Sequence, residues 1–410
     1  MNKVREGYKI TEIGDIPIEW EVRYLEDVCE ILDSYRKPIK ASDREEMKGD
    51  IPYYGASGVI DWINDFIFDE ELILLGEDGE NLNSRNTDLA FKISGKSWVN
   101  NHAHVFRIAN KNRDNIDFMV YYLESKDYSR YIAGSAQPKI TQAQCRKFLL
   151  PSPDLKEQEK IASILSTVDE QIDNVDALIE KNKELKKGLM QTLLTKGIGH
   201  TKFKKTEIGE IPEEWQVKRL GNVCEVKSSK RVYQSDYIDS GVPFYRSKEI
   251  IELSKGNLPT VELFIARDKF EEFKEKYGVP KLGDLMITSV GSVGKTWVCD
   301  GREFYYKDGN LTQIISNNEI NTKYISYVFE CEYLIKQYLG QSSGSAQVAL
   351  TLEKLKNLLV IFPTIDEQVS IVNILLSIDK KIEEYENKKK KLEELKKGLM
   401  QQLLTGKIRV

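Results

Sequence analysis

The chain has 410 residues, 40% hydrophobic and 30% charged, which at roughly 100–200 residues per domain predicts two to four domains. No run of about 18 apolar residues occurs and the opening Met1-Asn2-Lys3-Val4-Arg5-Glu6 has no apolar stretch, so neither a membrane span nor a signal peptide is expected. Five cysteines without a Cys-x-x-Cys pair argue against a disulfide framework or cysteine zinc site and fit a reducing cytoplasm; a net charge of −5 weighs mildly against a nucleic-acid partner unless cations gather on one face.

In chain order, the first marked segment is 11–30, TEIGDIPIEWEVRYLEDVCE, which returns at 206–225 as TEIGEIPEEWQVKRLGNVCE with about two thirds of its positions unchanged. Short strands are expected at 51–54, 71–75 and 105–108, cut by glycine and asparagine turns, followed by a short helix over 117–131. Gly-Ser-Ala-Gln at 134–137 recurs at 344–347. Asp154-x-x-Glu157, after Pro151 and Pro153, reads as a helix-capping signature. It opens an apolar stripe at Ile161, Leu165, Val168, Ile172 and Val175, which shifts phase at Leu178, resumes at Leu185, Leu189 and Leu193, and closes near Gly197. The second half repeats the plan: a strand over 284–288, a helical stretch over 321–339, and Thr364-x-x-Glu367. A stripe then runs through Ile371, Leu375, Ile378, Ile382, Tyr385, Leu392, Leu395, Leu399 and Leu403 to Gly406. Between these matching ends, 31–133 and 226–343 have no visible similarity. The chain reads as one unit written twice, with constant ends and a divergent middle.

Each long helix, 157–194 and 367–404, would extend about 57 Å. A helix of that length with one narrow apolar stripe needs a partner to cover it, and the other copy matches in length and pattern. The expected fold class is therefore α+β, with a pseudo-two-fold internal repeat. Two mixed α/β domains, 1–153 and 199–363, are separated by an antiparallel coiled-coil pair formed by helical segments 154–198 and 364–410, placing the domains at opposite ends of a rod.

Catalytic signatures fail on inspection. Val290-Gly291-Ser292-Val293-Gly294-Lys295-Thr296 lacks the first glycine of a phosphate loop, since position 289 is serine. Pro153-Asp154 with Glu184-x-Lys186 mimics a metal-nuclease spacing, but its second copy reads Pro363-Thr364. No Pro-Pro exists for an aminomethyltransferase tetrapeptide. His102 and His104, two apart in an expected strand, share a face but lack a third ligand nearby. No catalytic residue, metal site or cofactor is therefore assigned.

What remains are polar, aromatic and glycine-rich turns suited to recognition. In the first domain the candidates are Tyr54, Ser57, Gly58, Asn100, Asn101 and His102, with Gly76-Glu77-Asp78-Gly79 beside them. In the second they are Lys227, Lys230, Arg231, Arg246, Ser247, Lys248, Ser292 and Lys295. Arginine and lysine can bond guanine edges, asparagine can bond adenine, and amides of glycine turns can bond phosphate. Residues 1–153 carry 20 basic and 26 acidic groups, so the first domain must focus its few cations to meet DNA.

The duplicated Ile-Gly-x-Ile-Pro-x-x-Trp (13–20, 208–215), the paired Gly-Ser-Ala-Gln, and Glu-Gln before each long helix (157–158, 367–368) together resemble type I restriction-modification specificity subunits, over nearly the whole chain. Tyr54–Gly58 and Gly291–Lys295 also resemble loops of that family's target-recognition domains. The resemblance implies a non-catalytic DNA-recognition subunit. Each variable domain would read one half of a bipartite site in double-stranded DNA, and the helix pair would set the gap. Constant regions would hold two adenine methyltransferase subunits, and restriction subunits would join to form an ATP-dependent nuclease. One DNA turn of about 34–36 Å suits two heads on such a rod. A two-headed protein–protein scaffold remains the alternative, favoured slightly by the acidic first domain.

Overall fold

A computed structural model describes residues 5–132, 138–340 and 349–410; both Gly-Ser-Ala-Gln segments lie outside these residues. The chain forms two compact units, Met1–Ala177 with Glu386–Val410, and Leu178–Tyr385. Each unit thus holds one variable segment and part of each long helix.

The first unit begins with a hairpin, Tyr8–Thr11 against Gly14–Pro17. Glu21–Tyr24 then pairs with Leu149–Ser152, joining the two ends of the variable segment. Between them lie two four-stranded sheets. The first is antiparallel, in the spatial order Cys29–Ile31, Ala103–Ile108, Leu72–Gly76, Ala90–Ile93. Leu72, Ile73, Leu74 and Leu75 are all buried, because this sheet is covered on both faces and needs a continuous apolar run. The second sheet runs Gly58–Ile63, Lys48–Gly55, Lys96–Val99, Phe68–Asp69, with its central pair parallel.

The second unit has a similar frame although its variable segment has no visible sequence similarity to the first. Its hairpin is Phe203–Thr206 with Gly209–Pro212, and Gln216–Arg219 pairs with Leu359–Phe362. Its first sheet orders Val226–Lys227, Leu311–Ile314, Leu285–Thr288, Thr296–Val298. In both units the strands of this sheet stand in the order first, fourth, second, third along the chain. The second sheet again contains a parallel pair, Val242–Tyr245 with Tyr305–Tyr306, but here it lies at the sheet edge, with Val242–Tyr245 also pairing antiparallel with Phe264–Ile265. The units diverge immediately after the first strand of that pair. The first unit makes a tight hairpin through Gly55-Ala56-Ser57-Gly58, whereas the second inserts the helix Ser247–Ser254.

The long helices span Leu155–Lys196 and Ile365–Leu403. In the first unit Ile161, Ala162 and Leu165 pack with Met400, Leu403 and Leu404; in the second, Met190, Leu193 and Leu194 join the core containing Ile371, Val372 and Leu375. The start of each helix meets the end of the other, so the pair is antiparallel. Val168 and Val175 are buried, while Ile172, Ile378 and Ile382 are half-buried. The stripe does not break at Leu178. It continues through Ile179 and crosses polar positions, where Lys186 pairs with Asp379, and Lys389 and Lys396 pair with Asp176 and Asp169. Leu185 and Leu395, placed on the stripe by spacing, are each 49% exposed.

Helix starts obey the capping logic, with a different use for the glutamates. Asp154 Oδ1 accepts from Glu157 N at 2.9 Å. The Glu157 carboxylate accepts from the Trp20 indole (2.9 Å) and from Arg409 through Nε (2.5 Å) and Nη2 (2.9 Å). Its counterpart Glu367 takes the Trp215 indole (2.8 Å) and His200 Nε2 (2.9 Å). The repeated tryptophan and glutamate thus lock each hairpin to the start of a long helix. The stretch 117–131 is helical only over Ile116–Ser125, and 321–339 divides into Thr322–Val328 and Glu332–Leu339.

Candidate nucleic-acid interface

The shared frame brings matching turns together in each unit through equivalent backbone hydrogen bonds. In the first unit Asn100 N donates to Tyr54 O, Glu77 N to His102 O, and Ile140 N to Glu77 O. In the second, Lys307 N donates to Tyr245 O, Ser289 N to Asn310 O, and Leu350 N to Ser289 O. These bonds need no particular side chain, so the turns are free to vary in chemistry.

In the first unit they gather the turns at 33–40, 55–58, 76–79 and 100–102. Tyr54 lies half-buried against Phe91, with ring centroids 6.1 Å apart, while Ser57 is exposed in the tight turn before Gly58, whose φ is 121°. Asn100 is buried and its side-chain oxygen accepts from His102 N at 2.8 Å; Asn101 is exposed. The two histidines do not share a site. His102 lies in the turn and pairs with Asp78 at 2.9 Å, whereas His104 lies in the strand and is buried beside Asp33 at 2.6 Å.

Arg36 and Lys139 are functional candidates that the sequence reading missed. Arg36 Nη1 donates to Glu77 (2.5 Å) and to Ala103 O (2.7 Å), and Lys139 Nζ reaches the other Glu77 oxygen at 2.8 Å. Burial works against the Glu77 carboxylate, but Lys139 and Arg36 hold it below its ordinary value. Lys37 is exposed on the same turn, which Trp98 Nε1 fixes by donating to Lys37 O. Arg36 and Lys139 thus gather at these turns, each paired with the Glu77 carboxylate. A signal existed: at the repeat offset that aligns 11–30 with 206–225, Ser34 and Arg36 coincide with Ser229 and Arg231.

In the second unit, Arg231 pairs with Asp308 at 2.8 Å, and Lys230 N donates to the Tyr305 hydroxyl. The Lys230 ammonium lies 5.8 Å from the Tyr277 ring, and Lys227 Nζ donates to Tyr277 O. Arg246 bonds Glu249 (3.0 Å) and Glu262 (2.9 Å), while Lys248 bonds Glu262 at 2.5 Å. Those two cations pull the Glu262 carboxyl down to about 2. Ser247 Oγ donates to Val290 O, and Ser292 is exposed. Lys295 is exposed, and its side chain has no hydrogen bond or ion pair among the described residues. The glycine-rich 290–296 segment joins two antiparallel strands rather than a strand and a helix, so it lacks the helix N-terminus that a phosphate loop requires. A cleft of about 600 Å³ lies beside these turns, lined in part by Ser228, Ser229, Ser289, Asp308 and Thr312. Among the described residues no group of three or more His, Cys, Asp or Glu is placed to hold a metal ion.

Each unit thus builds a similar scaffold and presents its own, chemically unlike set of turns. The family model described as type I restriction modification DNA specificity domain matches twice, at 17–186 and 212–394. Among curated relatives, a putative type I restriction enzyme specificity subunit of Haemophilus influenzae is 31% identical over 359 residues, covering 87% of this chain and 86% of the relative. A putative type I restriction enzyme MjaX specificity subunit of Methanocaldococcus jannaschii is 30% identical over 441 residues, covering 99% and 97%. A crystal structure of a type I restriction-modification S subunit from M. genitalium shares the fold, with a TM-score of 0.59, 16% identity and 98% coverage of each chain. The chain belongs to the family of type I restriction-modification specificity subunits. Its two variable segments are target-recognition domains, and no described helix is long and apolar enough to cross a membrane.

Proposed function

We propose that each target-recognition domain binds one half of a bipartite site in double-stranded DNA, and that the antiparallel helices set the unread gap. The observation that carries this reading is the common frame: equivalent backbone bonds hold two unlike sets of turns, as two different half-sites demand. In the first domain the contacts come from Tyr54, Ser57, Gly58, Asn100, Asn101 and His102, joined by Arg36, Lys37 and Lys139. In the second they come from Lys227, Lys230, Arg231, Arg246, Ser247, Lys248, Ser292 and Lys295. Most of these cations already have carboxylate partners, so they arrive oriented for base edges, whereas exposed Lys295 suits a phosphate.

The subunit itself supplies no catalytic group. Two methyltransferase subunits dock on the constant helices and restriction subunits join them, in the cytoplasm. The helix surface favours such docking. Leu185 and Leu395 are half exposed at equivalent positions, and a Cβ added at Gly188 or Gly398, three residues on, would meet nothing within 4 Å. A mid-helix glycine costs about 1 kcal/mol relative to alanine, and an open surface there admits close approach by a partner.

Competition binding between a site-bearing duplex and random duplex, across a salt series, tests the DNA reading. The methyltransferase complex of this chain should bind with falling affinity as salt rises and keep its preference for the site. Lys295→Ala should weaken binding to both duplexes alike and reduce the salt slope by about one. Equal affinity for site and random duplex at every salt concentration would leave a protein–protein scaffold as the better account.

A further inference from the structure

The two units differ sharply at one equivalent point of the frame. The residue after the second strand of the antiparallel sheet bridges two other segments through its backbone: Glu77 in the first unit, Ser289 in the second. In the second unit its side chain meets a neutral partner, Ser289 Oγ lying 2.8 Å from Thr312 Oγ1. In the first unit the corresponding partner is His104, and the neutral pair is replaced by a buried charged cluster.

Both ring nitrogens of His104 face acceptors. Nδ1 lies 2.6 Å from Asp33 Oδ2 and Nε2 lies 2.9 Å from Ile140 O. A neutral imidazole has one N–H and satisfies one acceptor; the imidazolium satisfies both. The ring is 1% exposed and stacks on Phe106 at 6.1 Å. Glu77 Oε2 lies 3.9 Å away, and Asp33 Oδ1 also accepts from Val105 N. Arg36 completes the cluster by bonding Glu77, Ala103 O and Asp33 O.

We propose that His104, as a buried imidazolium, is a positioning residue that clamps the recognition turns of the first domain and thereby sets the fidelity of the first half-site alone. Each of its contacts belongs to a different segment. Asp33 begins the turn that carries Arg36 and Lys37, Ile140 comes directly after Lys139, and the strand containing His104 itself continues directly from Asn100-Asn101-His102. Removing the charge takes away one of several ties between the 33–40 turn and the strand that follows the 100–102 turn, the others being Val105 N to Asp33 and Arg36 to Ala103 O, so the turns stay folded but are held less exactly. Burial disfavours the charge, but the Asp33 hydrogen bond, with Cys145 alongside, outweighs it and lifts the His104 value to about 10. The folded value exceeds the ordinary value of about 6.5, so the cluster's contribution to stability is complete below about pH 6.5 and fades as pH climbs towards 10.

This inference rests on the half-site reading above, and its test separates the two. Methylation by the full complex is measured on the cognate duplex and on duplexes altered in one half or the other. His104→Gln should reduce discrimination at the first half by about ten-fold, the scale of one good base contact, with discrimination at the second half unchanged. Asp33→Asn, which keeps shape and removes the counter-charge, should do the same and stands in if His104→Gln does not fold. Nitrogen NMR of the wild-type chain should show both His104 ring nitrogens protonated at pH 8. A neutral ring at pH 8, or equal loss at both halves, would overturn the clamp. Wild-type complex with no bipartite preference would instead overturn the reading on which it rests.

Discussion

Replacing residues 31–133 with the corresponding segment of another family member should change the sequence read at the first half-site and leave the second unaltered. The physical ground is the separation of frame from surface. The ends of the first variable segment are joined by Glu21–Tyr24 pairing with Leu149–Ser152, both outside the exchanged stretch. Of the locks to the long helix, Trp20 with Glu157 lies outside the exchanged stretch and Asn115 N to Gln158 Oε1 needs only a backbone amide from the incoming segment; both have counterparts in Trp215 with Glu367 and Asn321 N with Gln368 Oε1. An incoming segment with the same frame therefore finds its supports in place. Methylation assayed on duplexes permuted in each half checks the result. A change in the second half after this exchange would show that the heads are not independent readers.

Leucines buried in the helix pair and leucines exposed on it should separate stability from assembly. Leu165 and Leu375 occupy equivalent positions and are 0% exposed. Truncating either to alanine should cost about 2–5 kcal/mol, through lost burial and the cavity left behind. The two costs should be similar because both sites lie where the start of one helix meets the end of the other. Leu185→Ala and Leu395→Ala remove half-exposed side chains, and each should change stability by less than about 0.5 kcal/mol. The same two variants should weaken binding of the methyltransferase subunit by about ten-fold, as expected for an apolar contact buried on assembly. Calorimetric melting and titration of the methyltransferase give both quantities. Strong destabilisation by Leu185→Ala, or unchanged methyltransferase binding by both exposed-site variants, would count against the assignment of this surface.

The repeat and the helix pair were legible because they rest on side-chain patterns that recur. Apolar spacing placed Ile161, Leu165, Ile371 and Leu375 on one face, and the Asp154 and Thr364 caps marked the helix starts. The apparent phase shift at Leu178 arose because the stripe passes from Ile179 through the polar positions Asn182 and Lys186, of which Lys186 pairs with Asp379. The common frame of the variable segments was illegible. It is held by backbone bonds such as Glu77 N to His102 O and Ser289 N to Asn310 O, and these leave no residue signature. The candidate turns at 54–58, 100–102 and 227–231 were visible from composition. The cluster of Arg36, Lys139 and His104 was not, since residues far apart in sequence meet there only through the fold.

The most direct measurement is the pattern of methylated adenines left on DNA by this chain assembled with its methyltransferase. Two short specified tracts separated by a constant number of unspecified positions are predicted. One uninterrupted tract, a gap of variable length, or methylation without a motif would contradict the account.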